Sequence, residues 1–329
     1  MLVGRKKIRA VTVAIFLGAL AIGLTQRSSE AAEYPVHPIR IIVPWPAGGP
    51  TDAVARVLAQ EMSDTLNQSV IIDNKAGATG AIGSDVAAKS NPDGYTLVVA
   101  NTASHALAKI SNPKLTYDPI VDFRPVIEYG NYPVAVMSTT SLPVKTLAEF
   151  VAFSKTTDDG VLVGIPGAGS VSHIYGQLLQ QKTGARLTFI PYRGDAPARV
   201  DLLAGNIQAI AATPDFGLIA EGKARLIGST GTRRWPQAPD VLTFAEAGYP
   251  DLVASFSWGF AAPAGTPDDV IKILNAAVNR ALLAKQVKKI MVDNAYFVTG
   301  GSPDVLWSGL RRQISQFEAM ARAGTIKFE

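Results

Sequence analysis

"VPWPAGGPTD", residues 43–52, is the stretch on which the fold turns. It follows "IRIIV" (39–43), an apolar and β-branched run that predicts a buried strand. It precedes "DAVARVLAQEMSDTL" (52–66), where apolar residues recur at helical spacing. The loop between them is stiffened by three prolines and bared by the adjacent Gly48 and Gly49. Glycine lets backbone approach a ligand and take φ > 0 without a Cβ clash. The helix behind the loop starts with free N–H groups and a partial positive charge, which suit an anion. Trp45 offers an apolar wall. The other reading is an ordinary tight turn in which Thr51 or Asp52 caps the helix.

Working outward, strands and helices alternate with short connections, which predicts an α/β fold with largely parallel sheets. "SVIIDN" (69–74) leads into a glycine-rich loop and a helix near 81–90, and "YTLVVA" (95–100) leads into "NTASHALAKI". Near 130 a second series opens: "YPVAVMS" (132–138), "VLVGIP" (161–166), "LTFIPY" (187–192), "NIQAIAA" (206–212) and "ARLIGST" (224–230). "FSWGFAAPAGTP" (256–267) then leads into two helices, with Thr266 and Ser302 as expected caps ahead of Pro267 and Pro303. One domain is therefore expected to be inserted in the other. The chain is divided as 33–132 plus 255–329 and 133–254, with crossings near 131–134 and 252–257.

The first 32 residues are set apart as a secretory signal peptide. They carry Arg5, Lys6, Lys7 and Arg9, then the apolar run "VTVAIFLGALAIGL" (11–24), then small residues at a cleavage site near Ala31 or Ala32. The apolar run is shorter than the roughly 20 residues of a membrane span. Of 31 basic and 27 acidic residues, five and one fall in this segment, which leaves 26 of each. The balanced remainder gives no basic surface for nucleic acid. Cysteine is absent, and the three histidines, 37, 105 and 173, are scattered, so no disulfide, thiol chemistry, metal site or cofactor is expected.

Four other loops carry polar groups at strand ends. In "GIPGAGSVSHIYGQLL" (164–179), Gly167 and Gly169 precede Ser170, which opens a helix bearing His173. Ser170 is either a plain N-cap or, with the first loop, half of a clamp on an anion. "IPYRGDAPARVDLLAG" (190–205) presents Arg193, Gly194 and Ala196; Arg193 can fork onto a carboxylate or form a surface ion pair. "NTASHAL" (101–107) offers Thr102 and Ser104 at the end of the third strand, where parallel sheets bind ligands. His105 there reads more readily as a structural imidazole. "AIAATPDFG" (209–217) adds Thr213 and Asp215. The P-loop lysine, the G-x-G-x-x-G spacing and G-x-S-x-G are all missing, so no nucleotide site or catalytic serine is expected.

Taken together, the chain resembles the Bug-type extracytoplasmic solute receptors, the binding proteins of tripartite tricarboxylate transporters. The resemblance spans 34–325. It rests on "YPVHPIRIIVPWPAGGPTD" (34–52), "NPDGYTL" (91–97), "YDPIVDFRPV" (117–126), "GAGSVSH" (167–173), "IPYRGDAPA" (190–198) and "APAGTP" (262–267). It implies a hinged, two-domain periplasmic-binding-protein fold of type II-like kind and a non-enzymatic role. Carried over residue by residue, the ligand site would comprise Trp45, Ala47, Gly48, Gly49, Thr51 and Asp52 from the first domain. The second domain would add Gly167, Gly169, Ser170, His173, Arg193, Gly194 and Ala196. Two departures stand out: Ala76 where many relatives carry proline, and 209–217 where relatives often place an aspartate. The implied ligand is a small organic anion, whether di- or tricarboxylate, aromatic acid or amino acid. The implied partners are transporter membrane subunits, reached by a monomer in the periplasm. Presentation of ligand to a sensor kinase, and an exported serine hydrolase, are the alternative roles.

Overall fold

The computed structural model describes residues 34–324 and Ile326. The expected signal segment lies outside these residues. No helix among them is long and apolar enough to cross a membrane.

The first sheet is seeded as the opening stretch dictates. β1 (Ile39–Val43) runs through the loop into α1 (Pro50–Leu66), and β2 (Val70–Asn74) follows. α2 (Ala81–Ala88) and β3 (Thr96–Asn101) come next. A π-helical turn, Thr102–Leu107, then runs into α3 (Ala108–Ser111). Ile39, Ile41, Ile42 and Val43 are all fully buried. That is the mark of a strand covered on both faces, and it explains the unbroken apolar run. β4 (Phe123–Tyr132) carries the chain out, and β5 (Ala135–Thr139) begins the second sheet three residues later.

The second series contains α4 (Leu147–Ser154), β6 (Val161–Ile165), α5 (Val171–Thr183) and β7 (Leu187–Pro191). It continues through α6 (Asp195–Ala204), β8 (Ala209–Ala212), α7 (Phe216–Ala220) and β9 (Ala224–Ser229). The chain returns as β10 (Phe256–Pro263) and finishes with α8 (Asp268–Ala281), α9 (Lys285–Asp293), β11 (Phe297–Val298) and α10 (Asp304–Arg322). α8 and α10 each start one residue later than expected, with Pro267 and Pro303 in the cap position. The Thr266 hydroxyl instead donates to the Pro263 carbonyl at 2.8 Å.

The strand orders are β11-β4-β10-β3-β1-β2 and β7-β6-β8-β5-β9. The expectation of largely parallel sheets is refined here. β1 pairs parallel with β2 and β3, and β6 with β7 and β8, while the other pairings are antiparallel. The reason lies in the crossings. β5 enters the second sheet between β8 and β9, and β10 re-enters the first between β3 and β4, each reversed against its neighbours. Both sheets thereby share one plan: a parallel triplet and a reversed strand contributed by the crossing chain, followed by β4 and β11 in the first and by β9 in the second. The result is an α/β architecture of two mixed sheets.

Thr230 knits the crossing segments. Its hydroxyl accepts from the Val134 N–H at 3.0 Å and donates to the Ala254 carbonyl at 2.9 Å. Its backbone accepts from the Ala254 N–H and donates to the Val134 carbonyl. Nearby, the Trp235 indole donates to the Ala295 carbonyl at 3.1 Å and its ring stacks on Phe297.

Candidate functional site

The parallel triplets point their carboxyl ends at loops 44–50 and 101–104 in one lobe, and 166–170 and 213–215 in the other. Each pair flanks the place where strand order reverses about β1 or β6, the usual ligand position in α/β sheets.

The first loop is pinned by Asp52 rather than left open. The buried carboxylate accepts from the Gly48 N–H at 2.9 Å, Arg56 Nε at 2.8 Å and Asn74 Nδ2 at 2.9 Å. Asn74 also donates to the Trp45 carbonyl at 3.1 Å. Burial works against the charge of Asp52, but the bonds from Arg56, Gly48 and Asn74 prevail and hold its pKa below the usual carboxylate range. Gly48 takes φ +81°, and a side chain there would project into open space. Gly49, by contrast, sits at φ −79° in the cap position, a conformation open to any residue. The left-handed requirement therefore falls on Gly48. Gly80 is bare for another reason, since a Cβ on it would meet the Trp45 ring at 1.9 Å. Its bareness lets the indole lie across the third loop, where Ser104 also approaches.

Thr102 and Ser104 are buried, and their hydroxyls are engaged within the first lobe. Thr102 Oγ1 donates to Gln313 Oε1 at 2.6 Å and accepts from the Ser257 N–H at 3.1 Å. Ser104 Oγ bonds Asn101 Oδ1 and His105 Nδ1. His105 is fully buried against Phe123 and Trp307, and burial pushes its imidazole pKa down to about 3. It is a neutral core side chain, as its sequence position favoured.

The second loop closes by different chemistry. Ser170 caps α5 by accepting the His173 N–H at 3.2 Å, and His173 Nδ1 accepts the Gly169 N–H at 3.0 Å. The His173 ring meets Phe189 edge-on. With Gly169, Gln177 and Phe189 it lines a cavity of about 660 Å³, to which no first-loop residue contributes. A side chain at Gly167 or Gly194 would project into open space.

The third wall comes from α6 and the end of β8. Asp195, just behind Gly194, lies 3.8 Å from Arg199 Nη2, and Arg199 Nε lies 3.7 Å from Asp215 Oδ2. Arg199 Nη2 also donates to the Thr213 carbonyl at 2.9 Å. Asp215 caps α7 through the Leu218 N–H at 3.1 Å. Asp195 keeps 21% of its side-chain surface accessible although protein surrounds it. Burial raises its carboxyl pKa, against the pull of Arg199 and Thr213. Arg193 and Ala196 are exposed on either side.

Facing this wall from the first lobe is an aromatic group. Trp258 meets Trp45 edge-on at 6.0 Å, stacks on Tyr132 at 5.7 Å and meets Tyr296 at 6.0 Å. Burial raises the pKa of both tyrosines, and the charge of Asp195 adds to it in each. Tyr132, Tyr296, Trp258, Asp195 and Arg199 escape the motif reading. The aromatics lie at the crossings and after α9, outside any strand-end loop. Only the i, i+4 spacing of Asp195 and Arg199 signals their pairing.

Residues 54–305 match the family described as the tripartite tricarboxylate transporter family receptor. The chain belongs to this family. BugT of Bordetella pertussis is 35% identical over 301 residues, covering 91% of each chain. MatC from Rhodopseudomonas palustris, solved with bound malate, is 34% identical with a TM-score of 0.76, covering 87% of this chain and 99% of its own. A second Rhodopseudomonas palustris protein, solved with adipate, is 30% identical with a TM-score of 0.79, covering 88% and 97%. As a member of this receptor family, the protein is a solute-binding receptor of the periplasmic type.

Proposed function

We propose that the chain captures a small organic carboxylate between lobes 33–132 with 255–329 and 133–254. It would act in the periplasm as a monomer and deliver its ligand to tripartite tricarboxylate-type membrane subunits. The observation that carries this reading is the pairing of bare strand-end loops in the two lobes. The 44–52 loop and the 166–170 loop each open a helix whose first N–H groups suit an anion. The malate and adipate of the two relatives are both dicarboxylates, in keeping with such a ligand.

In this reading Trp45, Ala47, Gly48 and Gly49, with Thr51, form one jaw, and Gly167, Gly169, Arg193, Gly194, Ala196 and Thr213 the other. Asp52, Thr102, Ser104, Ser170, His173 and Asp215 then chiefly hold the jaws in shape, because their polar atoms are engaged internally. Closing removes water and strengthens each charge-assisted bond to the ligand. A helix N-terminus contributes about 0.3–1 kcal/mol, so a few such terms with burial against Trp45 support micromolar binding, about −8 kcal/mol. Native mass spectrometry of the purified protein, followed by a thermal-shift panel of carboxylates, tests this. A carboxylate adduct with matching stabilisation is expected. A panel without stabilisation, with only neutral sugars or peptides retained, sinks it.

A further inference from the structure

We propose that the cavity between α10 and the crossing strands is a second small-molecule site, built for a protonated amine held by the Glu128 carboxylate. The cavity measures about 320 Å³ and is walled by β4, the 253–257 segment, α10 and Tyr175 of α5. No residue of either proposed jaw lines it, so the site goes beyond the receptor reading and stands apart from it. Tyr175 hydrogen-bonds Gln316 and meets Phe256 edge-on, so elements of both sheets meet at this cavity.

The polar groups of the wall give the first reason. Asn131 is used at both ends: Oδ1 accepts from Ser255 Oγ at 2.6 Å, and Nδ2 donates to Glu128 Oε1 at 3.1 Å. Gln313 is used likewise, accepting from Thr102 Oγ1 and donating to the Ser255 carbonyl at 2.8 Å. Glu128 is the exception. It is 5% exposed, yet among the described residues its carboxylate takes the Asn131 bond alone and forms no ion pair. A carboxylate offers about four acceptor positions, and burying one so sparsely bonded is costly.

The packing of α10 gives the second reason, and it is independent of the first. Gly309 lines the cavity, and a Cβ on it would lie 3.5 Å from Glu128 Oε2 and 2.8 Å from Ser257 Oγ. Glycine at this point of α10 leaves Oε2 uncovered where any side chain would shield it. An ammonium suits the opening, because it brings a compact charge and three donors to Glu128 Oε2 and the Ser257 hydroxyl. A metal ion does not suit it. Hard cations gather about six or more oxygen ligands, and no group of three metal-ligating side chains stands together among the described residues. Arg312 also lines the cavity, but it is exposed, so solvent and salt screen its charge.

Calorimetry of the purified protein with putrescine, ethanolamine and n-butylamine tests this, with sodium chloride at equal ionic strength as the control. At least one amine should bind with a millimolar or tighter dissociation constant. Glu128→Gln keeps the side chain's shape and an acceptor for Asn131 but removes the charge, and it should weaken that amine about tenfold or more. Arg312→Gln, at an exposed position, should tighten it about twofold at low salt. Failure of all three amines overturns the proposal. So does a loss in Glu128→Gln well short of tenfold, or an Arg312→Gln protein that binds no tighter than wild type. Each of these outcomes leaves the carboxylate reading intact, since that reading is tested with anions at other residues.

Discussion

The two glycine loops occupy equivalent places in their lobes, yet they are closed by opposite means. The 44–52 loop is pinned by an anion: Asp52 collects a backbone N–H, a guanidinium and an amide. The 166–173 loop is pinned by neutral groups, a serine hydroxyl and an imidazole, each taking one backbone N–H. Charge-assisted bonds are roughly twice as strong as neutral ones. The first loop is thus the more strongly pinned of the two. A similar sequence pattern produced two different mechanical parts.

The largest effect expected is from Asp52→Ala, which strands three donors at once. Stability should fall by about 3 kcal/mol, the scale of bonds to a charged group, and carboxylate affinity by more than tenfold. Because the folded state lowers the pKa of Asp52, its contribution is present above the ordinary carboxylate range and is lost as pH falls through the depressed value. Urea melts of both proteins at pH 7 and pH 3 should therefore show the difference shrinking in acid. A constant gap would remove the anionic pin from the account.

Next comes Gly48→Val against Gly49→Val. Strain at φ +81° should destabilise the former by about 1–3 kcal/mol, whereas the latter should cost less than about 1 kcal/mol because φ −79° suits valine. Equal denaturation midpoints would reverse the assignment. In the other loop, Ser170→Ala should cost about 1 kcal/mol and His173→Ala a similar amount. The double variant should lose less than the sum, since both close one turn; full additivity in denaturant melts would separate them.

The smallest effect has the opposite sign. Asp195 sits beside Arg199 and Thr213, and its folded pKa is raised by burial. A group so shifted contributes most below the unfolded carboxylate pKa and loses that contribution as pH rises through the folded one. Asp195→Asn should therefore melt slightly higher than wild type at pH 7, with the gain vanishing near pH 3. A lower melt at pH 7 would mean that the Arg199 contact outweighs burial.

The sequence made much of the architecture readable because several of the parallel strands are short apolar runs that stop at a proline. "IRIIV", "VLVGIP" and "LTFIPY" became β1, β6 and β7 within a residue or two. β4 went unassigned: Pro125 and Gly130 interrupt its apolar run, and pairing with β10 and β11 makes the segment a strand. The strand-end loops assigned to the proposed cleft were legible from glycine and helix caps. Which hydroxyls they turn inward was not, since Thr102 meets Gln313 across 211 positions of chain. The Tyr132, Trp258 and Tyr296 wall was invisible for the same reason, as its members come together only after both crossings.

The most direct test of the carboxylate cleft is tryptophan fluorescence. Of the four tryptophans, Trp45 and Trp258 meet edge-on beside the proposed cleft, while Trp235 and Trp307 pack elsewhere. Titrating a panel of plain and amino carboxylates should give a saturable emission change with at least one of them. That change should be lost in a Trp45→Phe, Trp258→Phe double variant and kept in Trp307→Phe. A carboxylate that binds by calorimetry with no emission change, or a change that survives the double variant, would place the ligand elsewhere and contradict the account.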